Sequence, residues 1–252
     1  ARYPMDKSAE EIEAKYLEHS SSFINIDGVN IHYTDEGTGP VILLLHANYA
    51  NLIDWRPWVE TLSPNYRVIR LDIPGHGLTE ADPLHNYSMP RTLFLIETLV
   101  SSLGIKQLTI AGASLGGTIG IHFTRNNPEA VDNLILVSPG ALNPRVRGSN
   151  EPAKLPRAFN LITQITPRSL VKGLLTGGFG DPSNISEELI TRWHDLLLRE
   201  GQRDAQMARM KQYVSGDIDQ VIQQIKSPVL IMWGKKNKVV PVELAYEMKN
   251  LL

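Results

Sequence analysis

No cysteine occurs among the 252 residues of this sequence. Disulfides, thiolate nucleophiles and cysteine-ligated metal sites are therefore excluded. The sequence also has no apolar run near the roughly 20 residues that a membrane-spanning helix needs, and it shows no signal peptide with a charged start and an apolar middle. Because the chain opens on Ala1 and not on Met, we expect that an upstream segment has been removed. The sequence assigns no compartment.

An excess of charge of either sign is also missing. Lys and Arg number 25, and Asp and Glu number 27, for a formal net charge of −2. Nucleic acid is therefore not expected as the main partner, because phosphate binding needs a clustered excess of basic residues. No histidines stand at metal-ligand spacing such as H-x-x-x-H, and no metal or other cofactor is predicted. The length favours one α/β catalytic domain over two smaller domains.

The sequence does contain an alternation of strand and helix patterns. Apolar and polar residues alternate on both sides of Gly28-Val29 and predict a hairpin over 22–34. Helical patterns follow Ser88-Met89-Pro90 and Ser114, and the second is expected to stop before Pro128. Three apolar runs, at 41–45, 108–111 and 134–137, together with 68–71 and 229–233, predict parallel strands buried on both faces. The predicted class is α/β, with a mostly parallel, doubly wound sheet.

The stretch 142–216 interrupts this alternation. It has several Pro and Gly breaks, helical patterns at 187–199 and 205–213, and no strand-like run. We interpret it as a helical cap inserted over the strand ends. The predicted organisation is an N-terminal arm at 1–21 with a solvated helix, an α/β core at 22–141, the cap at 142–216 and the continued core at 217–252.

The strongest chemical motif is Gly112-Ala113-Ser114-Leu115-Gly116, which follows a predicted buried strand and opens a predicted helix. This context predicts a nucleophile elbow, a sharp turn that holds a serine in a strained conformation at a helix N-terminus. Glycines are expected on both flanks because side chains there would clash with the turn. A phosphate-binding loop is the alternative, but the motif lacks both G-x-G-x-x-G and a terminal Gly-Lys-Ser/Thr. Ser114 is therefore the predicted nucleophile.

A second motif, Leu45-His46-Ala47-Asn48, ends a predicted strand. Acyl transfer requires two backbone N–H groups that bind the oxyanion, one from the residue after the nucleophile and one from a loop of this kind. The candidates are the N–H groups of Leu115 and Asn48. We expect His46 and His76 to brace the loops by hydrogen bonds and not to act as the base.

These motifs, together with Leu71-Asp72-Ile73-Pro74-Gly75-His76-Gly77 and Val229-Leu230-Ile231-Met232-Trp233-Gly234, resemble the α/β-hydrolase superfamily in order and spacing from about Phe23 onward. The chain looks most like the esterase, lactonase and carbon–carbon bond hydrolase branches that have helical caps. The resemblance implies a triad in the order Ser, acid, His. Some members whose opening resembles 16–37 carry an upstream membrane anchor. The resemblance therefore leaves open an anchor upstream of Ala1, although none is expected within this chain.

The sequence departs from the family pattern at three points. Ala47 stands where members usually have Gly. The resemblance places the triad acid at Asn237, a neutral residue that can orient a histidine but cannot stabilise its charged form. No histidine follows Asn237, because all seven precede it: His19, His32, His46, His76, His85, His122 and His194. We therefore expect a C-terminal strand and helix to be missing, roughly 25 to 35 residues by mean element lengths, and the activity of this chain to be low.

The main functional hypothesis is a serine hydrolase of carboxylic esters or lactones, in which Ser114 forms an acyl-enzyme that water releases. The apolar cap residues indicate a small apolar or acyl substrate. Carbon–carbon bond hydrolysis uses the same constellation and is the nearest alternative. A non-catalytic binding protein is the alternative from a different class, because Asn237 and the absent downstream histidine both weaken catalysis. The sequence does not assign the substrate, the oligomeric state or the origin of Asn237.

Overall fold

The computed structural model describes residues 2–152 and 154–252 and, for residues 157 and 158, the backbone alone. Ala1, at the start of the predicted arm, and Ala153, within the predicted cap, lie outside the described residues. The strands are β1 Ser21–Ile26, β2 Val29–Glu36, β3 Val41–Leu45, β4 Arg67–Leu71, β5 Leu108–Ala113, β6 Val131–Val137 and β7 Val229–Met232. The α-helices are α1 Ala9–Tyr16, α2 Arg56–Leu62, α3 Met89–Ser102, α4 Leu115–Asn126, α5 Arg168–Gly178, α6 Glu187–Leu198, α7 Gln202–Gln212, α8 Ile218–Gln223 and α9 Glu243–Leu251. No helix in these ranges combines the length and apolarity needed to cross a membrane.

The seven strands form one sheet in the order β1-β2-β4-β3-β5-β6-β7. The hairpin β1–β2 is antiparallel and β2 also runs antiparallel to β4, whereas β3 to β7 are parallel to one another. This confirms the predicted fold class. The chain leaves β3 for β4 on one side and later enters β5 on the other side. The loops after β3 and β5 therefore diverge at the carboxyl edge of the sheet, which is where α/β sheets bind ligands.

The central strands are apolar throughout because helices cover both of their faces. Leu43 and Ile110 are fully buried in the large cluster that contains residues of α3 and α4, whereas Leu44 packs with Trp55 and Val59 on the opposite face. Local signals fix the helix ends. The Ser88 hydroxyl accepts the Arg91 N–H at the start of α3 (3.4 Å), and α4 ends at Asn126, before Pro128.

The outer strand β7 corrects one sequence expectation. The apolar run at 229–233 predicts a strand buried on both faces, but Leu230 is 54% exposed and Met232 is 40% exposed. Val229 and Ile231 point the other way and pack against the main core. The continuous apolar pattern therefore did not distinguish a strand covered on one face from a strand covered on two.

Helices α5 to α7 lie within residues 142–216, which we call the helical insert. Helix α7 begins at Gln202, three residues before the predicted start, because its first turn is polar and carries no apolar signal. Helix α1 also differs from expectation. One face is solvated as predicted, but Ile12 on the other face is buried against Leu78 and Leu196.

Candidate active site

Ser114 occupies a strained turn between β5 and α4. Its backbone has φ 46° and ψ −108°, a conformation that L-residues seldom adopt. Backbone hydrogen bonds hold the turn, since the Ser114 N–H donates to the Val137 carbonyl and the Gly140 N–H donates to the Ser114 carbonyl, both at 3.1 Å. A Cβ added at Gly112 would overlap the Gly116 carbonyl, and a Cβ added at Gly116 would overlap the Leu45 carbonyl. The two glycines therefore allow a backbone approach that no other residue permits.

The loop after β3, residues 46–51, lies against this turn. The Gly116 N–H donates to the His46 carbonyl at 3.1 Å and joins the two segments directly. The N–H groups of Asn48 and Leu115 find no hydrogen-bond acceptor within the described part of the chain. Ala47 needs no left-handed backbone, because the residue with positive φ in this loop is Tyr49 (φ 63°). The departure from Gly at position 47 therefore costs no backbone strain.

Two buried histidines brace this edge of the sheet. The Nδ1 of His46 donates to the Ala47 carbonyl (2.7 Å), and its Nε2 accepts the Ile73 N–H (2.9 Å). The Nε2 of His76 lies 3.0 Å from the Asn48 Oδ1. Burial lowers the pKa of both imidazoles, so both are neutral near pH 7. With both nitrogens engaged, His46 has no lone pair left to act as a base toward Ser114.

Asn237 lies in the loop after β7, and its side chain stabilises that loop. The Oδ1 of Asn237 accepts the N–H groups of Val239 and Val240, both at 2.9 Å. The Trp233 Nε1 donates to the Val240 carbonyl at 2.9 Å and closes the same loop. No hydrogen bond within residues 2–152 and 154–252 joins the Asn237 side chain to Ser114 or to a histidine. The structure thus joins the loop that carries Asn48 to the turn that carries Ser114 and Leu115, and leaves the Asn237 side chain in its own network.

The other histidines are engaged elsewhere or lie at the surface. His32 lies between Asp72 (2.7 Å) and the Ser21 hydroxyl (2.7 Å) in the β1–β2 hairpin. His194 contacts the Thr166 carbonyl at 2.8 Å. His122 is within α4, and His19 and His85 are exposed. The Ser114 hydroxyl makes no hydrogen bond to any described residue, so the described chain presents a strained serine and two amides without a base bonded to it.

A cavity of about 530 Å³ opens beside these groups, between the sheet edge, α2 and the helical insert. Ala113 and Ala47 line it, whereas Ser114, Leu115 and Asn48 do not, so the cavity adjoins the strained turn through its neighbours. Its wall is largely aromatic and aliphatic and includes Trp55, Trp58, Leu175, Phe179 and Leu189.

The polar part of the cavity wall was missed by sequence reasoning. The Asp54 carboxylate accepts a hydrogen bond from the Arg192 guanidinium (2.6 Å) and from the Trp193 Nε1 (3.1 Å). These residues lie 138 and 139 positions apart from Asp54, and only the fold brings them together. Within the described ranges no group of three or more His, Asp or Glu side chains is placed to hold a metal ion.

Comparison with known proteins decides the family. Residues 40–252 match the model of the alpha/beta hydrolase fold. The chain belongs to the α/β-hydrolase family. This confirms the resemblance inferred from the motifs, because the match spans the β3 loop, the Ser114 turn and the strand that precedes Asn237.

Similar proteins in this family are described as hydrolases. The 2-hydroxy-6-oxo-6-(2'-aminophenyl)hexa-2,4-dienoic acid hydrolase of Metapseudomonas resinovorans is 28% identical over 257 residues, with 98% of this chain and 84% of that protein covered. The 2-hydroxy-6-oxononadienedioate/2-hydroxy-6-oxononatrienedioate hydrolase of Burkholderia vietnamiensis is 28% identical over 248 residues, with 91% and 83% covered. The solved structure of a provisionally assigned lipase from Acinetobacter baumannii AYE has a TM-score of 0.78 and 26% identity, with 92% and 79% covered.

Proposed function

We propose that the protein is a serine hydrolase that cleaves a carbon–carbon bond next to a ketone in an unsaturated carboxylic acid. The observation that carries this proposal is the chemistry in the names of its relatives. The substrate named for the Metapseudomonas resinovorans enzyme has a carboxylic acid, a hydroxyl, a ketone and an aminophenyl group, but no ester or amide. A hydrolase of such a molecule must break a bond between two carbon atoms. This favours the alternative over the ester or lactone hypothesis.

The strained turn supplies the proposed nucleophile. The Ser114 hydroxyl would add to the ketone carbon, and the oxyanion would accept hydrogen bonds from the Asn48 and Leu115 N–H groups, which have no other described acceptor. The carbon–carbon bond then breaks, the acyl group stays on Ser114, and the departing carbon takes a proton. Water hydrolyses the acyl-enzyme to a carboxylic acid and restores the hydroxyl.

The cavity beside Ala113 fits the apolar part of such a substrate. Trp55, Trp58 and Phe179 offer aromatic surface for an aryl or unsaturated chain. Arg192 lines the same cavity, and its guanidinium could bind the carboxylate of such a substrate. Asp54 already holds one guanidinium nitrogen of Arg192, so we expect a carboxylate to bind less tightly here than at an unpaired arginine.

We expect proton transfer to be the slow step of the proposed reaction. No described histidine is bonded to Ser114, and Asn237 cannot carry a negative charge. Exogenous imidazole at tens of millimolar should therefore accelerate the reaction of Ser114 severalfold, because it supplies the base that the described residues do not. A rate independent of imidazole would contradict this assignment.

The decisive experiment compares two substrate classes on the same protein. Purified chain is incubated with a 2-hydroxy-6-oxo-6-phenylhexa-2,4-dienoate, followed by loss of its visible absorbance, and with p-nitrophenyl esters of two to eight carbons. Ser114→Ala should abolish both turnover and labelling by a fluorophosphonate, whereas Ser101→Ala on α3 serves as the matched surface control. Faster turnover of the dienoate supports the proposal. Labelling of Ser114 with ester turnover alone would overturn it.

One observation favours ester hydrolysis as the second candidate. The Asp54–Arg192 pair at 2.6 Å neutralises a cation of the cavity wall, which suits an uncharged acyl chain better than a carboxylate. The likeness to the Acinetobacter baumannii protein points the same way. Absence of both labelling and turnover would instead favour a non-catalytic binding protein.

A further inference from the structure

Helix α7 of the helical insert buries a guanidinium for which the described residues supply no carboxylate partner. Arg209 is only 6% exposed, and no ion pair involves it within the described ranges. Burial lowers the pKa of its guanidinium to about 10, so the group is still charged near pH 7. A buried unpaired charge costs stability that an apolar residue at the same place would not cost. Its hydrogen bonds indicate what it does there.

Arg209 binds the turn that follows β4. Its guanidinium donates to the Pro74 carbonyl at 2.7 Å and to the Thr92 hydroxyl at 3.1 Å, and it lies 5.6 Å from the centre of the Tyr87 ring. One turn earlier on α7, the Gln206 amide donates to the Gly75 carbonyl at 2.8 Å. At the start of α7 the Gln202 amide donates to the Gly77 carbonyl at 3.1 Å. Helix α7 therefore holds three carbonyls of the segment 74–77.

The same segment continues to the loop that carries a proposed oxyanion amide. His76 follows Gly75, and its Nε2 lies 3.0 Å from the Asn48 Oδ1. Because an amide oxygen only accepts, the imidazole donates from Nε2. Helix α7 also reaches the neighbouring residue directly, since the Tyr49 hydroxyl donates to the Met210 sulfur at 3.4 Å. Two routes thus lead from one helix to residues 48 and 49.

We propose that α7 sets the position of the Asn48 N–H, and that Arg209 is the positioning residue that transmits this constraint through the turn 74–77 and His76. The inference rests on the proposed function for its catalytic consequence. The structural claim is that α7 restrains the 46–52 segment, and only the contacts described above support it. A helical insert that moves would then change the oxyanion geometry as well as the cavity.

The test compares two methionine variants on one helix. Arg209→Met removes the guanidinium and keeps an apolar stem. Arg203→Met is the matched control, because Arg203 is also buried on α7 but donates to Asp6, Pro4 and Thr166 and not to the 74–77 turn. Amide hydrogen exchange is measured over residues 46–52, and fluorophosphonate labelling and steady-state kinetics are measured in parallel.

Arg209→Met should speed exchange in the 46–52 segment about tenfold, because the loop opens locally more often. It should slow labelling and lower kcat about tenfold, less than the loss of a whole oxyanion donor, while KM changes less than about twofold. Arg203→Met should leave all three unchanged even if it lowers the melting temperature. Arg209→Lys keeps a charged donor and should recover part of the rate. If Arg209→Met does not fold, the same measurements are made on Arg209→Lys instead.

A double variant tests whether the effect of Arg209 reaches residue 48 through His76. Asn48→Ala keeps the backbone N–H but removes the acceptor of His76, so combining it with Arg209→Met should cost no more than the larger single change. Unchanged exchange at 46–52 in Arg209→Met, or an equal change in Arg203→Met, would overturn the inference. If the unmodified chain neither reacts with the probe nor turns over any substrate, the proposed function fails, and the exchange data alone decide this inference.

Discussion

The two sides of the candidate site are built in different ways. On the nucleophile side, which comprises residues 45–49 and 112–117, backbone groups contact one another so closely that Gly112 and Gly116 admit no side chain. On the acid side, residues 233–241, the side chains of Trp233 and Asn237 bond within a single loop, and several residues are exposed. The difference shows that the position of Ser114 is fixed by the packing of the sheet, whereas the Asn237 side chain is held by bonds within its own loop.

The two sides of the site therefore depend on different parts of the fold. Ser114 depends on the register of β3, β5 and β6, because its turn takes bonds from the ends of all three strands. The 233–241 loop contacts β6 through the Gly234 N–H and the Ser138 hydroxyl at 3.4 Å. Changes on the nucleophile side should therefore affect folding and reactivity together. Changes on the acid side should affect stability but not the reactivity of Ser114.

The largest effect is expected from Gly116→Ala. Its methyl group would overlap the Leu45 carbonyl, and the backbone of the β3 end cannot move without breaking the sheet. We expect a loss of more than about 3 kcal/mol of unfolding free energy and no labelling of Ser114. Gly173→Ala is the control, because that glycine lies in α5 with open space around it and should gain up to about 1 kcal/mol. A well-folded, reactive Gly116→Ala protein would break the comparison.

A smaller effect is expected when the pH is lowered, because His122 lies in α4, the helix that begins directly after Ser114. Burial and then Arg125 lower the pKa of His122 to about 4. Between the unfolded value near 6.5 and this value, the unfolded chain binds the extra proton, so the unfolding free energy falls as pH falls. The loss is about 1.4 kcal/mol per pH unit, or about 3 kcal/mol over the window.

Denaturant unfolding at pH 7, 6, 5 and 4.5 measures this slope. The variant His122→Gln should flatten it by about 1 kcal/mol per unit, while the exposed His85→Gln should leave it unchanged. Part of the slope should persist in His122→Gln, because burial also lowers the pKa of His46 and His76. Equal slopes in the unmodified protein and His122→Gln would show that α4 tolerates a charged imidazole behind the Ser114 turn.

The nucleophile side is also the side that the sequence predicts well. Continuous apolar runs located β3, β5 and β6, and the Gly-x-Ser-x-Gly spacing located the strained turn, since both signals are local in the chain. The fold class and the family follow from the same signals. The proposed carbon–carbon substrate class was the nearest alternative to ester or lactone hydrolysis in the sequence, because motif spacing indicates the reacting groups and does not indicate which bond they break.

Contacts between distant segments could not be predicted in this way. The polar residues that link the helical insert to the core, such as Asp54 with Arg192 and Arg209 with Pro74, are separated by more than 100 positions. In the sequence Asp54, Arg192 and Arg209 resemble ordinary surface charges. The exposed outer face of β7 escaped prediction for the same reason, because burial depends on which helices pack on a strand and not on the strand's own pattern.

The smallest effects are expected at Asn237, where the two sides can be compared directly. Asn237→Ala removes the acceptor of two backbone N–H groups and should cost about 1 kcal/mol, or roughly 2 to 4 °C in melting temperature for a chain of this size. Asn237→Asp keeps both bonds and adds a charge beside Lys235, Lys236 and Lys238, so its stability should change by less than about 0.5 kcal/mol. Neither variant should change fluorophosphonate labelling of Ser114 more than about twofold, because no described base connects the two groups. A tenfold acceleration in Asn237→Asp would show that the acid side is coupled to the nucleophile after all.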